Sequence, residues 1–125
     1  MAGLIFEDEV FRIRGAVFEV HKEMGNGFLE AVYHECFEKE LARSAIPYTS
    51  KPVLNLAYKG EALDQIYQPD LVCFDKIIVE LKTVAAIAPA HRAQVFNYLK
   101  ATKLKLGLIV NFGTYPKAEI ERIVL

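Results

Sequence analysis

Asp70, Glu80 and Lys82 are the residues most suited to chemistry, and they sit in one stretch, QPDLVCFDKIIVELK, residues 68 to 82. The stretch is otherwise almost wholly apolar and reads as buried strand. A charge taken out of water without a partner costs several kcal/mol or becomes neutral, so these three need counterparts. Side chains at i and i+2 of a strand share a face, which puts Glu80 beside Lys82 and sends Leu81 to the other side. Asp70 lies on the preceding expected strand, one short turn away, where pairing brings its carboxylate beside Glu80. Two hard oxygen donors and a cation at the end of a small sheet suit Mg2+, which takes one or two carboxylates and leaves other positions to water and substrate phosphate. A neighbouring lysine can orient an attacking water or hold the phosphate. The competing expectation is a plain cross-strand ion pair of Lys82 with Glu80 or Asp70, worth little energy.

Other polar side chains fall on segments that are otherwise apolar, where they need a reason. Gln94 and Tyr98 are four residues apart on an expected helix with His91 one turn earlier, so the three share a face. Glu30 and Tyr33 share a face at the start of another. For His91 a site role and a structural hydrogen bond both stay open. His21 and His34 lack partners at metal-ligand spacing and are expected to be solvated or capping. Two cysteines, Cys36 and Cys73, are too few for a disulfide framework, a four-thiolate cluster or a thiolate zinc site. Both are expected as small buried hydrophobes.

The elements that must position these residues can be read from periodicity. Phe6, Val10, Ile13, Val17, Val20 and Met24 form one helical stripe, stopped at Gly25. A second helical pattern runs from about Leu29 to Arg43, with Val32, Tyr33, Cys36, Phe37 and Leu41 on its apolar side. From Pro47 the period becomes strand-like, with a hairpin turn at Lys59-Gly60 and further strands at about 62 to 67, 70 to 74 and 77 to 82. FDKI reads as a tight turn, and Pro69 should mark an edge or bulge beside Asp70. Pro89 suits the first turn of a helix to about Thr102, LKLGLIVNF reads as a central strand, and IERIVL as a last one. The order is ααββββαββ, an α/β (α+β) chain read as a single domain over residues 1–125.

Composition excludes several classes. With 53% hydrophobic and 25% charged residues in 125, disorder is not expected. No stretch approaches the roughly 20 apolar residues that cross a bilayer, and no basic region precedes an apolar block at the start, so a cytoplasmic protein without membrane association is expected. A net charge of −1, from 15 Lys plus Arg against 16 Asp plus Glu, argues mildly against a dedicated nucleic-acid binder. Phosphate would have to be met by a metal or by local cations. Lys51, Lys59, Lys100, Lys103 and Lys105 are candidates, though a plain solvated role is the commoner one for such residues.

GFLEAVY, with Gly27, Glu30 and Tyr33, resembles the motif of the GxxExxY protein family, and QPDLVCFDKIIVELK, HRAQVFNYLKAT and LGLIVNFG extend the resemblance over roughly residues 6 to 125. That family is assigned to the PD-(D/E)XK nuclease superfamily, whose pattern reads here as Pro69-Asp70 and Glu80-Leu81-Lys82. Gln94 and Tyr98 are similar to the QxxxY element of its RecB-like and Cas4-like branch, and Glu30 matches the acidic residue on the first core helix. The resemblance implies a restriction-endonuclease-like core, a mixed central sheet flanked by helices. It implies Asp70, Glu80 and Glu30 as ligands of Mg2+ or Mn2+, with the Leu81 carbonyl facing the metal, and Lys82 as the catalytic lysine. Gln94 and Tyr98 would contact the nucleic-acid backbone or brace the site. The implied activity is hydrolysis of phosphodiester bonds in DNA, with a homodimer or protein partner supplying further surface. A catalytically silent module of the same fold, binding nucleic acid or protein, is the alternative. The iron-sulfur cluster of Cas4-like relatives needs four cysteines, and this chain has two.

Overall fold

The computed structural model describes residues 4–125. Two helices come first, α1 (Glu7–Met24) and α2 (Glu30–Arg43), and then β1 (Tyr48–Ser50), β2 (Leu54–Tyr58), β3 (Glu61–Tyr67), β4 (Leu71–Cys73) and β5 (Ile77–Lys82). Helix α3 (Pro89–Thr102) and strands β6 (Leu106–Asn111) and β7 (Glu119–Val124) complete the chain. The order is the expected one with β1 added. Three residues at an exposed sheet edge carry too little alternation to announce a strand.

β1, β4, β5, β6 and β7 form one sheet in that order. β5 and β6 run parallel and the other neighbours antiparallel, so the sheet is mixed as expected. β2 and β3 leave it and pair only with each other. Their turn is Lys59-Gly60, both residues left-handed (φ 49° and 82°), which matches the twist of a two-residue hairpin. The β4–β5 turn uses the same geometry without glycine. Phe74 and Asp75 have φ of 56° and 58°, and Lys76 N–H donates to the Cys73 carbonyl at 3.1 Å. Pro69, expected at an edge or bulge, is buried between β3 and β4 and belongs to neither.

Alternation along the strands divides the core into two layers. Ile77, Val79 and Leu81 face α1 and α2, packing with Ile13, Val17, Tyr33 and Phe37. Ile78 and Ile109 face α3 and the hairpin, packing with Val95, Leu99 and Tyr67. All six residues of β6 are buried, as an interior strand requires. Cys73 is buried and Cys36 half-buried, both free. Among the described residues no helix is long and apolar enough to cross a membrane.

α3 can approach β6 closely because position 107 has no side chain. A Cβ on Gly107 would lie 2.6 Å from Val95 Cγ1. Gly107→Val should therefore cost about 1–3 kcal/mol through overpacking, read as a lower urea midpoint. An unshifted midpoint would show that α3 is not seated on β6 in this way.

Candidate functional site

Register brings the first two carboxylates together. Leu71 pairs with Val79, so Asp70, one residue before β4, comes opposite Glu80. Asp70 N–H donates to Glu80 Oε1 at 3.3 Å, and Asp70 Oδ2 accepts the Leu81 N–H at 2.8 Å. The chain turns away from β5 at Pro69, and the Asp70 side chain takes over a donor that a longer β4 would otherwise meet. Tyr67 O–H donates to Glu80 Oε1 at 2.7 Å. Among the described residues, Asp70 Oδ1 and Glu80 Oε2 receive no hydrogen bond.

Burial raises the Glu80 carboxyl above the usual carboxylate range; the Tyr67 hydrogen bond opposes that rise and the Asp70 charge adds to it. Burial and then the Glu80 charge push the Tyr67 phenol upward, so it stays a neutral donor. Lys82 shares the β5 face of Glu80 and is half-buried. The ion pairs among the described residues are His34–Glu38, Lys76–Glu9 and Arg92–Glu121, and none uses Lys82 within 4.0 Å. The plain ion pair weighed against a metal site is thus not what these side chains form.

Glu30 is the first residue of α2 and is exposed. It lines a cavity of about 780 Å³ together with Asp70, His34, Ser50 and Lys51. Although the residue is exposed overall, partial burial of its carboxyl raises the pKa and the Asp70 charge adds to the rise, with Lys82 opposing. The GxxExxY spacing has a mechanical reason here. Gly27 has φ 113°, a conformation that favours glycine, and the buried Tyr33 hydroxyl donates to the Gly25 carbonyl and accepts Phe28 N–H at 3.3 Å. The Tyr33 ring stacks on Phe112 with centroids 4.7 Å apart. Loop and helix start are thereby tied to the core, and Glu30 is held at the cavity. Among the described residues no three of His, Cys, Asp and Glu converge as a ready-made cage. The Asp70–Glu80 pair, with one uncommitted oxygen on each residue, nevertheless fits a hard cation that keeps several waters.

The remaining expected residues divide. Leu81 is fully buried on the opposite face, in contact with the α1–α2 layer. Tyr98 is half-buried with its ring stacked on Tyr67 at 3.6 Å and 5°, while Gln94 is exposed. His91 Nδ1 accepts Ala88 N–H at 3.0 Å, so of its two open roles the structure shows a hydrogen bond at the start of α3. His21, expected to be solvated or capping, is instead 5% exposed, with Nε2 2.9 Å from the Thr114 carbonyl, because it lies on the buried face of α1. His34 is a cavity residue, its Nε2 2.8 Å from Glu38 and 3.2 Å from Ser50 Oγ.

Two residues escaped the sequence reading. Tyr67 carried only the signal of a hydroxyl-bearing aromatic at a strand end just before Pro69-Asp70. Asn111 is a polar residue closing an apolar strand and is fully buried. Its Oδ1 accepts N–H groups of Val84 (3.0 Å) and Gly113 (2.9 Å), and its Nδ2 donates to the Val84 carbonyl at 2.9 Å. Phe112 N–H also donates to the Lys82 carbonyl at 2.9 Å. The chain is thus fastened immediately beyond Lys82.

A mixed sheet between two helices on one face and a third on the other, with paired carboxylates where β4 begins beside β5, defines a restriction-endonuclease-like domain. The chain belongs to the PD-(D/E)XK nuclease superfamily, whose profile matches residues 7–123. The crystal structure of SSO0001 is similar in fold, with a TM-score of 0.57 and 13% identity over 98% of this chain and 78% of that one. The chain is also similar to part of the DNA-directed RNA polymerase subunit alpha of Beutenbergia cavernae, at 32% identity over 71 residues, 57% of this chain and 20% of that protein. The same subunit of Oleidesulfovibrio alaskensis is 27% identical over 95 residues, 76% of this chain and 26% of that protein. The chain thus spans between a fifth and about a quarter of the length of these curated relatives.

Glu80 and Glu30 hold a proton more tightly in the folded chain than in the unfolded one. Their ionisation opposes folding: the cost is absent below the ordinary glutamate pKa of about 4.3, grows as pH rises through the raised folded values, and is then constant. Glu80→Gln keeps an oxygen to accept from Tyr67 and removes that charge. With a chelator present, its urea midpoint should exceed that of the wild-type chain near pH 7, the gap closing as pH falls to about 4. A gap independent of pH would contradict the assigned shift.

Proposed function

We propose that the chain is a metal-dependent nuclease of the GxxExxY family, in the RecB-like and Cas4-like branch, hydrolysing phosphodiester bonds in DNA. The observation that carries this reading is the meeting of Asp70 and Glu80, each with an oxygen to spare among the described residues, on the face that also bears Lys82, which forms no ion pair among them. Superfamily membership supports it, and the fold likeness to SSO0001 supports the scaffold alone.

Asp70, Glu80, the Leu81 carbonyl and Glu30 would hold Mg2+ or Mn2+. When bound, such an ion supplies positive charge for the scissile phosphate and makes water more acidic. Lys82 orients the attacking water and meets the developing negative charge, a task for which an ammonium without an ion-pair partner is available. Glu30, across the cavity, accepts a hydrogen bond from that water or completes the ligand set. Gln94, which is exposed, and Tyr98, which is half-buried and stacked on Tyr67, would contact the nucleic-acid backbone or brace the site. The net charge of −1 makes binding of DNA depend on the divalent ion, and dimerisation or a protein partner would add surface.

Purified protein incubated with single-stranded, duplex and branched DNA and with RNA, with Mn2+ or chelator, tests the reading. Cleavage of DNA should require the ion. Asp70→Ala and Lys82→Ala should each slow it by on the order of 10²–10³-fold, as loss of one electrostatic element of a phosphoryl-transfer site does. Cleavage that persists in both variants would place the activity elsewhere; binding of DNA with no cleavage under any condition would favour the silent module.

A further inference from the structure

Glu80 is held by a residue outside the sheet that carries it. Tyr67 ends β3, a strand of the separate hairpin, yet its hydroxyl reaches Glu80 Oε1 at 2.7 Å and the residue is only 7% exposed. The same Oε1 accepts Asp70 N–H at 3.3 Å. The terminal torsion of glutamate is broad and soft, so a carboxylate fastened by one oxygen through two donors loses most of that freedom. Its second oxygen is then left in one place. Tyr67 is in turn fixed from the other side: the Tyr98 ring lies parallel to it at 3.6 Å, and β3 pairing sets Leu54 opposite Tyr67. Hydrogen bonds behind a metal-binding carboxylate fix its orientation, and their loss weakens metal affinity.

We infer that Tyr67 is the positioning residue for Glu80, tying Oε1 so that Oε2 is the oxygen offered to a divalent cation, and that Tyr98 acts on the site through Tyr67 by stacking. The inference rests on the reading of Asp70 and Glu80 as cation ligands. It gives the hairpin a task that its two strands alone do not suggest, and it makes α3 a support for Glu80.

Calorimetric titration of Mn2+ into the full chain separates the two readings. The wild-type chain should bind and Asp70→Ala should not. Tyr67→Phe, which keeps the ring and its stack but removes the donor, should bind about tenfold more weakly or worse, within the 10–100-fold range for lost support of a metal ligand. Tyr98→Leu should also weaken binding while every atom of the Tyr67–Glu80 hydrogen bond is retained. Tyr58→Phe, on the exposed end of the hairpin, should bind like the wild-type chain and serves as the control. Unfolding midpoints recorded alongside separate loss of fold from loss of affinity. Wild-type affinity in Tyr67→Phe overturns the positioning role and leaves the cation site standing; no binding by the wild-type chain overturns both. Should Tyr67→Phe fail to fold, unchanged affinity in Tyr98→Leu is the overturning result.

Discussion

The site depends on one register, the antiparallel pairing of β4 with β5. Leu71 opposite Val79 brings Asp70 opposite Glu80, and a slip of a single residue would turn every side chain of one strand to the other face. The register is locked at one end by the turn through Phe74 and Asp75, both in left-handed backbone that ordinary residues adopt at some cost. Asparagine and aspartate tolerate that region better than phenylalanine, whose ring recovers part of the cost by packing on the α1–α2 layer and under Arg12. At the other end the Asp70 carboxylate receives the Leu81 N–H. The residue that would meet a cation thus also closes the strand pair that aims it.

Two layers of packing converge on this pair from opposite sides. Beneath it, Leu81 anchors β5 into the α1–α2 layer with no exposed surface, and Tyr33 ties the glycine loop to the same layer. Above it, Tyr67 and Tyr98 bring the hairpin and α3 onto Glu80. Elements packed on both faces would hold the oxygens of this pair in place, as the proposed cation site requires. Glu30 comes from a third direction, the start of α2, and faces the cavity it shares with Asp70.

The Glu80 carboxylate is costly where it stands. Burial pushes it toward its protonated form, and the charge of Asp70 adds to that rise. Among the described residues Lys82 forms no close pair with either carboxylate, so its charge does not cancel theirs. Such an arrangement is poor for stability alone and sensible for binding a cation, since a divalent ion relieves both the burial and the repulsion at once.

Local pattern in the sequence already determined much of this. The apolar stripe from Val10 to Val20, the helical face of Tyr33, Phe37 and Leu41, and Pro89 as a first-turn residue all follow from a period set by the backbone itself. So does the shared face of Glu80 and Lys82, and the short FDKI turn made Asp70 a neighbour of Glu80. Only the tertiary structure decided that β2 and β3 leave the sheet, that β1 forms its edge, and that His21 is buried. It alone brought Tyr67 to Glu80, Tyr98 to Tyr67, and the Asn111 amide to Val84, 27 residues away. Periodicity reports which way a side chain points from its own element, whereas these contacts join residues on separate elements. What such side chains meet depends on how the layers pack, and that is a property of the whole chain.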